Sequence, residues 1–201
     1  SHRSIPSMSL PHPWVNHVYF LNIKTKVSRR LKCGPAEYVS FEGKANVIQR
    51  HEYGYVSWKR YKGGSKGEVW IDKSGKGNYA KLIDLPTNNL RPQWIDDRIY
   101  FLSDHEGVGN VYSCDLDGQD LRAETAQKDY HVRGLNSHGE TLVYMAGGDI
   151  YTHDLKSGKS EKVLISFSSQ RVLRQRKFAS AQKYFRSYDL DPKGQKLGVI
   201  T

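Results

Sequence analysis

The densest group of side chains able to recognise a ligand lies in residues 51–67, HEYGYVSWKRYKGGSKG. Aromatic rings alternate there with lysine and arginine, and such a combination can stack on nucleic-acid bases or bind a peptide. An aromatic-rich loop that packs on its own domain would have the same composition. The candidate contact residues in this stretch are Tyr53, Tyr55, Trp58, Arg60 and Tyr61.

A second basic stretch, residues 166–186, contains no acidic side chain. It is either a connector with solvated charge or a contact to an acidic partner, for which Arg174 and Arg176 are the candidates. The chain has a net charge of +10, but residues 63–162 are mildly acidic and the basic excess lies at the two ends. A basic protein suggests a nucleic-acid partner. The acidic central region contains no nucleic-acid-binding motif, so we do not expect a nucleic-acid partner.

Residue patterns for catalysis are absent. The sequence has no nucleophile elbow of the G-x-S-x-G kind between a strand and a helix, no phosphate-binding loop, no H-E-x-x-H and no G-x-G-x-x-G that opens a helix. Asp104, Glu106, Asp115 and Asp117 are close in sequence and could form a calcium loop, although carboxylates that cap hairpin turns explain them as well. We therefore predict no catalytic residue, no metal and no cofactor in this chain.

The elements that must position these residues are short β-strands. Ile99–Ser103, Asn110–Asp115 and Leu121–Thr125 are rich in β-branched and aromatic residues. Glycine and aspartate in the segments between them are typical of turns. Residues 91–125 therefore resemble one antiparallel unit.

The unit is repeated along the chain. Tyr112 and its neighbours recur at Tyr151 after 39 residues, and Ile99 recurs as Leu142 after 43 residues. Another copy begins at Trp70 at about the same interval, and a fainter one begins at Tyr19. Four strands in about 40 residues are typical of a blade of a β-propeller, where neighbouring blades bury each other's apolar faces. The predicted fold class is therefore an all-β, incomplete propeller of four-stranded antiparallel blades.

The domain prediction follows from this repeat. Residues 1–165 form about four blades of a partial propeller, residues 166–186 form a basic linker, and residues 187–201 begin a second propeller. Residues 1–13 are predicted to be loop. The chain lacks an initiator methionine and ends in a strand-like run, so we expect a fragment of a larger protein. Cys33 and Cys114 show no metal or redox spacing, which favours buried free thiols in the cytoplasm over a disulfide.

Residues 98–122, RIYFLSDHEGVGNVYSCDLDGQDLR, resemble a blade of the tricorn core proteases. Further similarity lies in residues 61–71, in residues 147–158 and in the passage from Lys177 to the turn at 189–194. The resemblance extends from about Gly34 to the end of the chain and is specific over residues 61–160. The pattern formed by Ser103, Asp104, Gly107 and Tyr112 is also shared with TolB-type propellers.

The resemblance implies a large cytoplasmic serine peptidase that trims peptides and assembles as a hexamer. This chain would be a non-catalytic part of its six-bladed ring, with the start of a seven-bladed one, and would contribute to a peptide access or exit channel. Its expected partners are peptides, the remaining domains of the parent chain and further copies of it, and not a membrane. The alternatives are a TolB-type scaffold for protein–protein interaction and a nucleic-acid-binding module that uses residues 53–66 and 171–186.

Overall fold

The computed structural model describes residues 2–4, 14–51, 59–166, 168–171, 174, 176, 178 and 180–200. The chain divides into two compact units, Ser1–Val163 and Leu164–Thr201. Three four-stranded antiparallel sheets make up most of the first unit, and each is a simple meander. Over the described part of the chain, no helix is long and apolar enough to cross a membrane.

We name the three sheets blades A, B and C in chain order. Blade A consists of β5 (Tyr38–Glu42), β6 (Ala45–Arg50), β7 (Glu68–Asp72) and β8 (Ala80–Lys81). Blade B consists of β9 (Asn89–Ile95), β10 (Arg98–Ser103), β11 (Asn110–Asp115) and β12 (Arg122–Ala123). Blade C consists of β13 (Arg133–His138), β14 (Thr141–Ala146), β15 (Asp149–Asp154) and β16 (Lys159–Lys162).

The repeated segments occupy equivalent places in these blades. Ile99 and Leu142 lie in the second strands, β10 and β14, while Tyr112 and Tyr151 lie in the third strands, β11 and β15. The all-β, four-stranded architecture predicted from the sequence is confirmed. Among the described strands, none closes the set of blades into a ring, as expected for an incomplete propeller.

Both faces of blade B are buried, because successive side chains of a strand point to opposite faces. Ile99 and Phe101 join a cluster shared with blade A, whereas Tyr100 and Leu102 join a cluster shared with blade C. Ile99 and Phe101 are fully inaccessible to solvent. Burial of an apolar side chain of this size stabilises a fold by about 1.5–3 kcal/mol, so packing between blades stabilises the unit.

One glycine fixes how the turn after β11 meets the preceding blade. Gly118 has a φ of +77°, and a Cβ built on it would overlap the backbone carbonyl of Leu82, which follows β8. The equivalent turn of blade C contains Gly158, with a φ of +65° and open space around it. Of these two glycines, only Gly118 is therefore needed both for its backbone conformation and for close approach between blades.

The first strand of blade B, Asn89–Ile95, was not predicted as a strand, and it contains Pro92. Its ladder with β10 shifts register between Tyr100 and Leu102, and Arg91 there has a φ of +54°. This bulge accommodates the proline, which has no N–H to donate to the ladder. A similar irregularity in β13 surrounds Gly134, which has a φ of +63°.

The N-terminal region forms two small hairpins. β1 (His2–Ser4) pairs with β2 (Trp14–Asn16), and β3 (Tyr19–Leu21) pairs with β4 (Ser28–Arg30). The prediction that residues 1–13 are entirely loop was wrong for residues 2–4, because their backbone pairs with a strand that lies about ten residues further along the chain. In the second unit, α1 (Ala181–Tyr184) precedes a hairpin of β17 (Ser187–Leu190) and β18 (Leu197–Ile200).

Candidate functional site

The predicted contact residues are only partly within the described structure. Tyr53, Tyr55 and Trp58 lie outside the described residues. The Arg60 backbone N–H donates to Asp104 Oδ2 at 2.5 Å, and the Tyr61 hydroxyl lies 3.1 Å from Ser65 Oγ. Arg60 thus joins the β6–β7 connection to blade B through its backbone, and a contact of these side chains with a partner stays a prediction.

The other two candidates, Arg174 and Arg176, are exposed and belong to the second unit. Arg60 and Tyr61 belong to the first unit. Each group is therefore described by itself, and a role for each stays a separate prediction.

A set of polar residues does converge at one end of the blades. In a meander, the connection from the second to the third strand and the connection to the next blade lie at the same end of the strands. Lys59 precedes β7, Asn88 precedes β9, Asp104 follows β10, and His131 precedes β13. Together with Ser103 and Arg133 they line one pocket, which we call the loop-end pocket.

The loop-end pocket contains two buried polar groups without partners. Asp104 is 8% exposed; its Oδ2 accepts the Arg60 N–H, whereas its Oδ1 has no hydrogen-bond partner. Nη1 of Arg133 is also buried without a partner. A buried polar atom without a hydrogen bond costs about 1–3 kcal/mol, so both atoms are poised to bind a ligand.

The tautomer of His131 is set by its neighbour. The Gly109 backbone N–H lies 2.9 Å from His131 Nδ1, which must therefore accept, leaving the proton on Nε2. Burial lowers the pKa of His131, and the positive charges of Lys59 and Arg133 lower it further against the opposing effect of Asp104. His131 is thus a neutral N–H donor near neutral pH.

Two members of the acidic cluster that was considered as a calcium loop accept local hydrogen bonds. Asp115 Oδ1 accepts the backbone N–H groups of Asp117 and Gln119, and Glu106 accepts the Tyr112 hydroxyl at 2.8 Å. Within the described ranges, no three His, Cys, Asp or Glu side chains are grouped as metal ligands. Glu106 and Asp115 thus stabilise hairpin turns, whereas Asp117 pairs with Lys73 of blade A.

A second polar network joins the first strands of the three blades. Gln93 Nε2 donates to the Tyr38 hydroxyl at 2.9 Å, and the Ser137 hydroxyl donates to Gln93 Oε1 at 2.9 Å. The Trp94 N–H also donates to Ser40 Oγ at 2.9 Å. The first strands β5, β9 and β13 thus lie side by side, as the innermost strands of adjacent propeller blades do.

Sequence reasoning did not identify the loop-end pocket. His131 and Arg133 belong to no motif, and Asp104 was considered only within its own hairpin. The blade repeat could have shown that the relevant connections share one end of the strands. It could not have shown that Asp104 Oδ1 and Arg133 Nη1 lack partners.

Three meandering blades with adjoining first strands define a segment of a β-propeller. A family model for the tricorn protease N-terminal β-propeller domain matches residues 6–159. The chain belongs to this family. The resemblance inferred from the sequence is thereby confirmed, and the match begins well before Gly34.

Comparisons with individual proteins support this family assignment. The chain is 37% identical over 166 residues to a tricorn protease homolog of Saccharolobus solfataricus, covering 83% of this chain and 16% of that protein. It is 44% identical over 125 residues to a tricorn protease of Thermoplasma volcanium, covering 62% and 12%. A crystal structure of the tricorn protease superposes with a TM-score of 0.76 at 31% identity, covering 92% of this chain and 18% of that one. The chain thus spans less than a fifth of these proteins.

Proposed function

We propose that this chain is a non-catalytic propeller segment of a tricorn-like serine peptidase and forms part of a channel through which peptides reach or leave the active site. Family membership supports the peptidase context, because the relatives are named as proteases. The observation that carries the channel role is the row of adjoining first strands. In a propeller these strands surround the central axis.

The chemistry of these strands suits a passage for peptides. Tyr38, Gln93 and Ser137 supply polar groups on three consecutive blades, and Asn136 is exposed on β13. Side chains of this kind exchange hydrogen bonds with a peptide backbone without strong sequence preference. The aromatic and basic residues of the 53–61 stretch, together with Arg174 and Arg176, are proposed as further peptide contacts.

The proposal extends to the setting of the segment. Residues 1–165 would belong to a six-bladed ring, residues 166–186 would link it to the next domain, and residues 187–201 would open a second propeller. The parent would assemble as a hexamer in the cytoplasm. The free, buried thiols of Cys33 and Cys114 support a reducing compartment.

The test is made in the full-length protein, with a bulky residue on the innermost strand. Asn136→Trp should slow hydrolysis of long peptides and leave hydrolysis of the shortest substrates unchanged, because only long substrates need the full width of a channel. Lys159→Trp on the exposed outer strand β16 is the matched control. Equal effects of the two variants, or a reading frame without a peptidase domain, would refute the proposal.

A further inference from the structure

The loop-end pocket has an excess of hydrogen-bond donors. Lys59 and Arg133 contribute positive charges, and His131 contributes a neutral N–H group. Asp104 contributes the negative charge. An arginine and a lysine beside an N–H donor form a suitable environment for a carboxylate, with the arginine able to donate two parallel hydrogen bonds.

Asp104 adds a requirement that a simple anion does not meet. Its Oδ1 is buried and has no partner, and the residue lines the pocket. An ionised carboxylate only accepts hydrogen bonds, so the ligand atom that faces Oδ1 must be a donor. The bound group must therefore combine acceptor oxygens for the cations with a neighbouring N–H for Asp104.

The floor of the pocket limits the size of an apolar group attached to these polar atoms. Leu90, Leu102 and Val132 line it, and all three belong to the apolar cluster between blades B and C. These three side chains can contact a small apolar group. The ligand thus has the form of an α-amino acid unit: a carboxylate, a donor on the adjacent nitrogen and a small side chain.

We propose that the loop-end pocket binds an α-carboxylate with its adjacent N–H group, as provided by the C-terminal residue of a peptide or by a free amino acid. The carboxylate contacts Arg133 and Lys59, and the N–H donates to Asp104 Oδ1. The site lies among the connections at one end of the blades and does not depend on a channel between the first strands.

The test follows the amide resonances of the 201-residue chain by NMR during titration with three probes. N-acetylalanine carries the carboxylate and an amide N–H, N-acetylalaninamide lacks the carboxylate, and alanine carries an ammonium group. N-acetylalanine should shift the amides of Gly109 and His131, whereas N-acetylalaninamide should not. Comparable binding of alanine identifies free amino acids as ligands, and its failure to bind identifies peptide C-termini.

Variants connect binding to the named groups. Arg133→Gln should weaken N-acetylalanine binding at least about ten-fold, because a charge-assisted pair is lost. Lys59→Gln, at an exposed position, should weaken it with no effect on folding. Lys128→Gln is the control, because Lys128 lies in the β12–β13 connection with His131 but does not line the pocket. This variant should bind N-acetylalanine normally.

The proposal is overturned by equal shifts with N-acetylalanine and its amide, by no shift with any probe, or by Lys59→Gln binding as well as the unchanged chain. The channel test uses substrate length in the full-length protein. A negative result in the channel test leaves the binding measurements unaffected. A negative result in the binding measurements likewise leaves the channel test unaffected.

Discussion

Replacing Gly118 with alanine should destabilise the first unit by about 2–5 kcal/mol, the combined range of two separate costs. An L-residue in the left-handed region costs about 1–2 kcal/mol, and Gly118 has a φ of +77°. The new methyl group would also overlap the Leu82 carbonyl, and relieving such an overlap in a packed region costs about 1–3 kcal/mol.

Gly158→Ala is the matched control. Gly158 occupies the equivalent turn of blade C at a φ of +65°, and a Cβ there meets nothing within 4 Å. Only the backbone cost of about 1–2 kcal/mol applies. The difference between the two variants therefore measures the contact between blade B and the connection that follows β8.

Urea unfolding of the chain, followed by far-ultraviolet circular dichroism, gives the free energy of unfolding of each variant. The slope of that free energy with urea should stay unchanged, because the surface exposed on unfolding is the same. Equal destabilisation by Gly118→Ala and Gly158→Ala would refute the reasoning, since it would show that the Leu82 carbonyl moves away at no cost.

Three further predictions concern buried polar groups. Burial alone would raise the pKa of Asp72, but hydrogen bonds from residues 74, 75 and 77 outweigh burial and lower the pKa below 3.8. The ionised carboxylate therefore stabilises the fold above pH 3.8, and this stability is lost as the pH falls through the lowered pKa. Asp72→Asn should therefore unfold at a urea concentration that depends less on pH between about pH 5 and pH 2, and an unchanged dependence would contradict this. Glu124→Gln, which replaces the carboxylate that accepts the Ser113 hydroxyl, should cost about 1–3 kcal/mol in urea unfolding. Glu140→Gln, at the exposed ion pair with Lys156, should cost less, and equal values would contradict a role for the Ser113 hydrogen bond. Burial raises the pKa of the Cys33 thiol, and burial together with the charge of Asp115 raises the pKa of the Cys114 thiol to about 12. Mass spectrometry should therefore show that iodoacetamide labels both thiols only in urea. Labelling of either thiol in the native chain would contradict this prediction.

The blade repeat was predictable because it depends on local composition. Strands such as Asn110–Asp115 combine β-branched and aromatic residues, and their turns contain glycine and aspartate. The strand Asn89–Ile95 was not predicted, and its Pro92 is a residue that central strands rarely contain. The bulge at Arg91 that accommodates it depends on pairing with β10, which sequence composition does not show.

The candidate site was less predictable than the fold. Aromatic and basic residues drew attention to the 53–61 stretch, yet Arg60, one of its described members, contacts blade B through its backbone N–H. The partner of that N–H, Asp104, is 44 residues away along the chain. Hydrogen bonds between blades join residues at such separations, and a single sequence without its structure gives no sign of which ones meet.

Three hydrogen bonds between the blades share one arrangement of donor and acceptor along the chain. Ser40 and Gln49 of blade A accept N–H groups from Trp94 and Arg91 of blade B, and Gln93 of blade B accepts the hydroxyl of Ser137 from blade C. At these three contacts the acceptor lies on the earlier blade and the donor on the blade that is synthesised next. A nascent chain emerging from the ribosome can add blades one at a time, with every finished blade acting as the template against which its successor docks.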